Sequence, residues 1–254
     1  MECIIPILRD SVPLVRAAAV DALAECIKLI IKKRHRSKTS LLCKIHAGVM
    51  EGLVSSRKIT ATAFGFDEES FIHGSLLAAG GLLEHTRDFM LPRFNELCDA
   101  IVNLMDHSDA LIRLEVVHLI PSLASKCPGV FGRRYLDTFL DFLLHCSQVG
   151  LRGREIFDER PAALLAIGRL ALVFKGIEYS EELRGFNSRL DHIFQVIQLG
   201  LGTQPNVSGV LDTKMEALRC ASDVVEALAN LCSTHVSNLL DHMLLAGLSD
   251  SLIH

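Results

Sequence analysis

The residue types able to do chemistry are plentiful in this sequence and poorly arranged for it. The eight cysteines are Cys3, Cys26, Cys43, Cys98, Cys127, Cys146, Cys220 and Cys232. No two stand at the CxxC spacing by which a zinc site or redox pair holds its sulfurs. Most lie within apolar stripes, where a free thiol behaves as a small hydrophobe. We therefore expect neither a metal site nor a disulfide framework, and read a reducing, intracellular compartment. The eleven histidines do not cluster. His235 and His242 sit two turns apart on one helix face, without the carboxylate or thiol partners a metal needs, and read as a surface pair. His73 reads as a packing or hydrogen-bonding residue at a helix start. Gly80-Gly81 and Gly200-Leu201-Gly202 neither follow a strand nor lead into a GxxxxGK[ST] or GxGxxG loop, so nothing is built to cradle a phosphate. GxSxG, HExxH, HRD and DFG elements are absent. Phosphoryl transfer needs a base, metal-binding acids and a phosphate-gripping lysine together, and the chain offers no such set. We expect no catalysis and no cofactor from this segment.

The densest charge is basic. Lys32, Lys33, Arg34, Arg36 and Lys38 form one run around His35. It reads as a solvated helix end whose cations match the helix dipole; the second reading is a nuclear-import or anionic-lipid patch. Arg152, Arg154 and the more distant Arg160 make a weaker basic loop, interrupted by Glu155, Asp158 and Glu159. Neither lies beside the aromatics that base stacking requires, and the net charge is −4. We expect no nucleic acid partner.

The elements that must carry these residues are helices. Half the residues are hydrophobic, chiefly Leu and Ala, with no Trp, two Tyr and twelve Phe. From Val15 through Ala18, Ala19, Ala22, Leu23, Cys26 and Ile27 to Ile30, apolar residues recur at three- and four-residue steps. The same reading gives helices over 39–54, 71–83, 92–105, 110–125, 132–146, 161–174, 185–200, 213–231 and 236–248. Pro13, Pro92 and Pro161 suit first turns, where the missing N–H is no loss. Cys127-Pro128-Gly129 ends one helix. Asp109 and Asp212 are placed to cap the helices that follow them. No apolar run reaches the ~20 residues of a membrane span; the nearest, 193–211, holds Gln195, Gln198, Gln204, Pro205 and Asn206. Met1-Glu2-Cys3 lacks the positive start of a secretory signal, and Arg9 and Asp10 interrupt the apolar run behind it.

A motif recurs along the helices. Asp10-x-x-Pro13-x-Val15-Arg16-x-x-Ala19-x-x-x-Leu23 is echoed by Asp109-x-Leu111-Ile112-Arg113-x-x-Val116-x-x-Leu119. Residues 72–83, 161–172 and 214–228 continue the series at steps of roughly 40 to 55 residues, which bracket the HEAT/armadillo period. We therefore expect an all-α HEAT/armadillo-type superhelix of about five to six helix pairs in one continuous segment, 1–254. Its approximate units are 1–35, 39–87, 92–127, 132–175, 185–232 and 235–254, the last truncated. Asp10, Pro13, Arg16, Asp109 and Arg113 are its structural positions, the Asp and Arg bonding between turns of neighbouring units. Exposed apolar faces are expected at 1–8 and 236–253. Loops 55–70 and 152–160 are the candidate partner surfaces.

The wording of several units is more specific than the repeat. Ile72-His73-Gly74-Ser75-Leu76-Leu77-Ala78-Ala79-Gly80 with Leu82-Leu83, and Phe89-Met90 with Arg93-Phe94-Asn95-Glu96-Leu97-Cys98-Asp99, come first. Asp106-His107-x-Asp109-x-Leu111-Ile112-Arg113 and Leu119-Ile120-Pro121-Ser122-Leu123-Ala124 follow. Together with Lys44-Ile45, Gly52-Leu53, Glu216-Ala217-Leu218-x-Cys220, His235-Val236 and Ala246-Gly247-Leu248-Ser249, this resembles the N-terminal HEAT region of the target of rapamycin (TOR) protein kinases. The stretches 55–70, 147–159 and 175–184 are more irregular than the resemblance leads one to expect. The family's FAT region, rapamycin-binding bundle and kinase domain are missing, so the resemblance implies a fragment. It implies a non-catalytic protein-binding scaffold that belongs, in the intact protein, to a serine/threonine kinase using ATP and Mg and coupling nutrient supply to growth. It further implies partner subunits of the Raptor and Rictor type and a small GTPase. The implied location is cytoplasmic, reaching the lysosomal or vacuolar surface or another endomembrane through the complex. The alternative is a HEAT scaffold of another kind, such as a transport adaptor or phosphatase regulatory subunit.

Overall fold

The computed structural model describes residues 4–32, 38–54, 68–86, 88–148, 159–176, 184–202 and 210–228. Twelve α-helices are found among them. They are α1 (Ile4–Ile7), α2 (Pro13–Lys32), α3 (Lys38–Val54), α4 (Glu68–His85), α5 (Phe94–Val102), α6 (Ala110–Lys126), α7 (Pro128–Arg134), α8 (Leu136–Gln148), α9 (Arg160–Val173), α10 (Arg184–Asn187), α11 (Leu190–Leu201) and α12 (Val210–Leu228). No strand occurs among the described residues. The chain divides into two compact units, Met1–Lys126 and Cys127–His254.

In the first unit α4 is the central helix. It packs on α2, α3 and α6, while α3 also meets α5. One layer is thus α2, α4 and α6, and the other is α3 and α5. This explains the composition of α4: Phe71, Ile72, Leu76, Ala78, Ala79, Leu82 and Leu83 are all buried, together with Ser70, His73, Gly74 and Ser75. A helix enclosed on several sides is apolar nearly all round rather than along one stripe. The second unit repeats the scheme. Helix α9 lies between α8 and α12, and α11 packs on both α12 and α8. Phe131 stacks on Phe139 at 5.5 Å between centroids and 7° between planes, with neither ring exposed.

Several helices differ from the sequence reading, each for a local reason. The helix read over 92–105 is a 3₁₀ turn, Leu91–Arg93, followed by α5. Pro92 supplies no donor to that turn, and past Val102 the amides of Leu104 and Met105 turn back three residues, to the carbonyls of Ile101 and Val102. The helix read over 132–146 is two helices, α7 and α8, meeting at Tyr135, whose φ of −121° breaks the helical run. The helix read over 185–200 is α10 and α11, separated by Ser188 and Arg189. Helix α12 starts at Val210, so Asp212 lies inside it and does not precede it as a cap. The helix read over 236–248 lies outside the described residues.

The stripe assigned to α2 is only half covered. Arg16, Ala19, Leu23 and Ile27 are buried, whereas Leu14 is 80% exposed and Val15, Ala18, Ala22 and Leu29 are exposed with it. Of the apolar face expected at 1–8, residues 1–3 lie outside the described residues, Leu8 is fully buried and Ile7 is exposed, and α2 carries a further exposed face. Stacked helices need a neighbour on each side to close their stripes, and α2 has α1, α3 and α4. The other expected face, 236–253, lies outside the described residues.

Candidate interaction scaffold and its arginine-held turns

Two turns with one geometry enter α2 and α6. At the first, Arg16 is the fourth residue of its helix, and its Nη1 donates to the carbonyls of Asp10 (2.6 Å) and Ser11 (3.1 Å). At the second, Arg113 is again the fourth residue, and its Nη1 donates to the carbonyls of His107 (2.8 Å) and Ser108 (2.9 Å). In both cases the guanidinium reaches back six and five residues. The side chain six residues before the arginine does the same work in each turn. Asp10 Oδ1 accepts the Val12 amide at 2.8 Å, and His107 Nδ1 accepts the Asp109 amide at 3.1 Å.

The arginines therefore set the true register. Asp10 corresponds to His107, not to Asp109 with which the sequence pairs it. Asp109 occupies the place of Val12 and caps α6, taking the amides of Leu111 (2.6 Å) and Ile112 (3.2 Å). Pro13 is the exposed first residue of α2, and Ala110 stands at the same place in α6. The two motifs share an arginine clamp and differ in how the helix end is satisfied. Only Asp109 supplies the two-amide cap that carboxylates offer at helix starts.

Arg16 also reaches beyond its own turn. Its Nη1 donates to Ser70 Oγ at 2.9 Å and its Nε to His73 Nδ1 at 3.1 Å, both on α4. The residue is 3% exposed, so this guanidinium joins α2 to α4 from inside the core. Ser70, the last residue of the loop proposed as a partner surface, is buried in α4, and 55–67 lie outside the described residues. His73 sits in the second turn of α4, not at its start, because the helix begins at Glu68.

To accept from Arg16, His73 must be neutral at Nδ1. Burial lowers its pKa from the ordinary 6.5, the Arg16 charge lowers it further, and Glu115 and Asp109 oppose the shift. The unfolded chain then binds a proton more readily than the folded one between the lowered value and about 6.5. Stability due to His73 is present above that window and is lost as pH falls through it. We expect urea unfolding to weaken by up to about 1.4 kcal/mol per pH unit below 6.5. His46, buried against Phe89 with its pKa also lowered, adds to the same slope. His73→Gln should remove the His73 share; an unchanged slope in that variant would refute the coupling.

Of the basic run, Lys32 ends α2 and is exposed, and Lys38 opens α3 and is half-buried. Lys33, Arg34 and Arg36 lie outside the described residues, as do 152–158, His235 and His242. Lys32 stands where a cation meets the carbonyl end of a helix, whereas Lys38 stands at the opposite pole. Cys98, Cys146 and Cys220 are buried, and Cys26, Cys43 and Cys127 are half-buried, all as free thiols. Burial pushes the Cys220 thiol up, well away from thiolate reactivity. Among the described residues no group of three His, Cys, Asp or Glu side chains is placed to hold a metal ion. Among the same residues no helix is long and apolar enough to cross a membrane. In the second unit Arg189 grips α8, donating from Nη2 to Asp141 Oδ2 and from Nη1 to Asp137 Oδ1, each at 2.8 Å. That contact holds the Asp141 carboxyl below its usual range. Sequence reasoning did not single this arginine out, because its two acids lie 48 and 52 residues before it.

The layered helix pairs and arginine-held turns define an all-α HEAT-type helical repeat. An engineered protein of known structure superposes with a TM-score of 0.54 at 13% identity, over 95% of this chain and 92% of that one. Importin beta superposes at 0.51 and 13% identity, over 94% of this chain and 34% of its own. At such identities the likeness concerns the fold alone. No sequence-family model matches the chain.

Sequence relatives are more particular. The chain is 27% identical over 246 residues to the serine/threonine-protein kinase TOR of Arabidopsis thaliana, and 30% identical over 247 residues to that of Oryza sativa subsp. japonica. Each match takes in 97% of this chain and 9% of the relative. The tor1 kinase of Schizosaccharomyces pombe is 30% identical over 165 residues, 65% of this chain. The chain belongs to the TOR kinase family as a segment, spanning about 9% of the length of its plant relatives.

Proposed function

We propose that this segment is a non-catalytic scaffold of a TOR-type kinase, a stretch of helix pairs on which partner subunits of the Raptor and Rictor type are held. The observation that supports it is the match to plant TOR kinases along 97% of the chain, combined with a fold made wholly of paired helices among the described residues. Repeats of this kind expose an extended surface while each helix pair supports its neighbours. In this reading the intact protein phosphorylates serine and threonine with ATP and Mg supplied at a domain elsewhere in its sequence. A small GTPase is a further partner of the assembled complex. The setting is cytoplasmic, with access to lysosomal, vacuolar or other endomembranes through the complex.

The test is direct binding. The purified chain, immobilised for interferometry, is expected to bind a Raptor-type or Rictor-type subunit saturably while showing no ATP hydrolysis above buffer. Absence of binding to both subunits would overturn the scaffold reading. ATP turnover abolished by a point substitution would overturn the non-catalytic one.

A further inference from the structure

Between α4 and α6 runs an open groove of about 700 Å³, wholly within the first unit. Gly80 and Leu119 line it; a Cβ at position 80 would stand 3.3 Å from Leu119 Cδ2, so the glycine keeps the groove deep. Leu91 offers an apolar contact at its edge, 46% exposed. Among the described residues the charged lining is mostly acidic: Glu84, Asp88 and Glu115. Glu84 is well exposed, its side chain at 75%. Its neighbour His85 lies 3.8 Å away, and Glu115 has His118 at 3.6 Å. Lys126 also lines the groove, and its ammonium donates to the carbonyls of Leu83 (2.7 Å) and Thr86 (2.6 Å). Those two bonds close the end of α4.

We propose that this groove docks a basic, leucine-bearing segment of a partner protein. Its lysines and arginines would meet Glu84, Asp88 and Glu115, and one aliphatic side chain would cover Leu91. The assignment rests on the scaffold reading and narrows it to one partner chemistry. Among the described residues three carboxylates line the groove beside one lysine, an excess that repels an acidic peptide, and charge complementarity of this kind governs encounter rate and partner choice. Ser122 and Ser125 are also in the lining; the Ser125 hydroxyl donates to the Ser122 carbonyl at 3.0 Å and keeps its oxygen as an acceptor for a peptide amide. The groove is open along its length and has an apolar edge, features that favour an extended chain over a compact ligand.

The experiment uses the full chain and a fluorescein-labelled ten-residue peptide of lysine, arginine and leucine, followed by anisotropy at two salt concentrations. The unmodified chain should bind it, and a glutamate–leucine peptide should not. Glu84→Gln with Asp88→Asn and Glu115→Gln should weaken binding at least tenfold and flatten the salt dependence. An equal loss of charge outside the groove, Glu96→Gln with Asp99→Asn and Asp191→Asn, should change it less than twofold. The single exposed substitution Glu84→Lys should weaken binding about fivefold and serves if the triple variant melts early. Equal binding by both triple variants, no binding by the unmodified chain, or a self-association that the groove variant abolishes would each overturn the proposal. If Raptor-type or Rictor-type subunits bind the groove variant as well as the unmodified chain, the groove is wrong and the scaffold reading stands. If the peptide depends on the groove but neither subunit binds, the reverse holds.

Discussion

Arg16→Ala is expected to destabilise the chain by about 3 kcal/mol in urea unfolding followed by circular dichroism, whereas Arg113→Ala should cost only about 1 kcal/mol. Both arginines hold two carbonyls of their own turn. The difference lies in what else is left behind. Removing Arg16 takes one donor from Ser70 Oγ and leaves His73 Nδ1 without the guanidinium that donates to it inside the core, and a buried acceptor that loses its donor costs about 1–3 kcal/mol. Arg113 itself lies nearer the surface than the buried Arg16, and water replaces much of what its two carbonyls lose. Arg16→Lys should rescue little, because one ammonium cannot serve two carbonyls, a hydroxyl and an imidazole from one planar fork. Equal losses in the two alanine variants would mean that the bonds to α4 contribute nothing to stability.

That asymmetry also marks where the sequence stops being informative. The helices, their apolar periodicity and the recurrence of an arginine near the start of two of them are local, and local patterns are visible in a string. The register of the motif is not. Two aspartates invited alignment of Asp10 with Asp109, yet the backbone puts His107 where Asp10 stands, since an imidazole nitrogen can accept the same amide that a carboxylate does. A sequence reader weighs residue type, whereas the turn requires only an acceptor at a fixed distance from the arginine. The same limit hid Arg189, whose acids lie a helix pair away. It also left the stripe of α2 looking like core from Val15 to Ile30, when its burial depends on which neighbours lie alongside. The groove between α4 and α6 is of this second kind. Glu84 and Glu115 read as ordinary surface acids until two helices, separated in sequence by a loop, a 3₁₀ turn and α5, are laid side by side.

Glycines show the same dependence on neighbours, and they yield the second large effect. Gly168→Val should destabilise the second unit by about 3 kcal/mol, whereas Gly81→Ala should stabilise the chain by about 0.5–1 kcal/mol. Both glycines are inside helices, where alanine is ordinarily preferred. At Gly168 a Cβ would lie 3.0 Å from the Cα of Cys220 and 2.9 Å from Asp223 Oδ2 on α12. The obstacle is partly backbone, so the two helices must part for any side chain to enter, and overpacking of this sort costs 1–3 kcal/mol or more. Parting them also uncovers Ala166, Ile167, Leu170, Ala217 and Val224, all buried at present. At Gly81, among the described residues, nothing beyond its own turn of helix lies within 4 Å of the added carbon. Alanine there loses no contact and restricts the unfolded chain. Thermal unfolding of the two variants beside the unmodified chain reads the signs directly. A Gly168→Val chain that melts where the unmodified chain does would show that α9 and α12 do not need their close approach, and would remove that contact from any account of the second unit's stability.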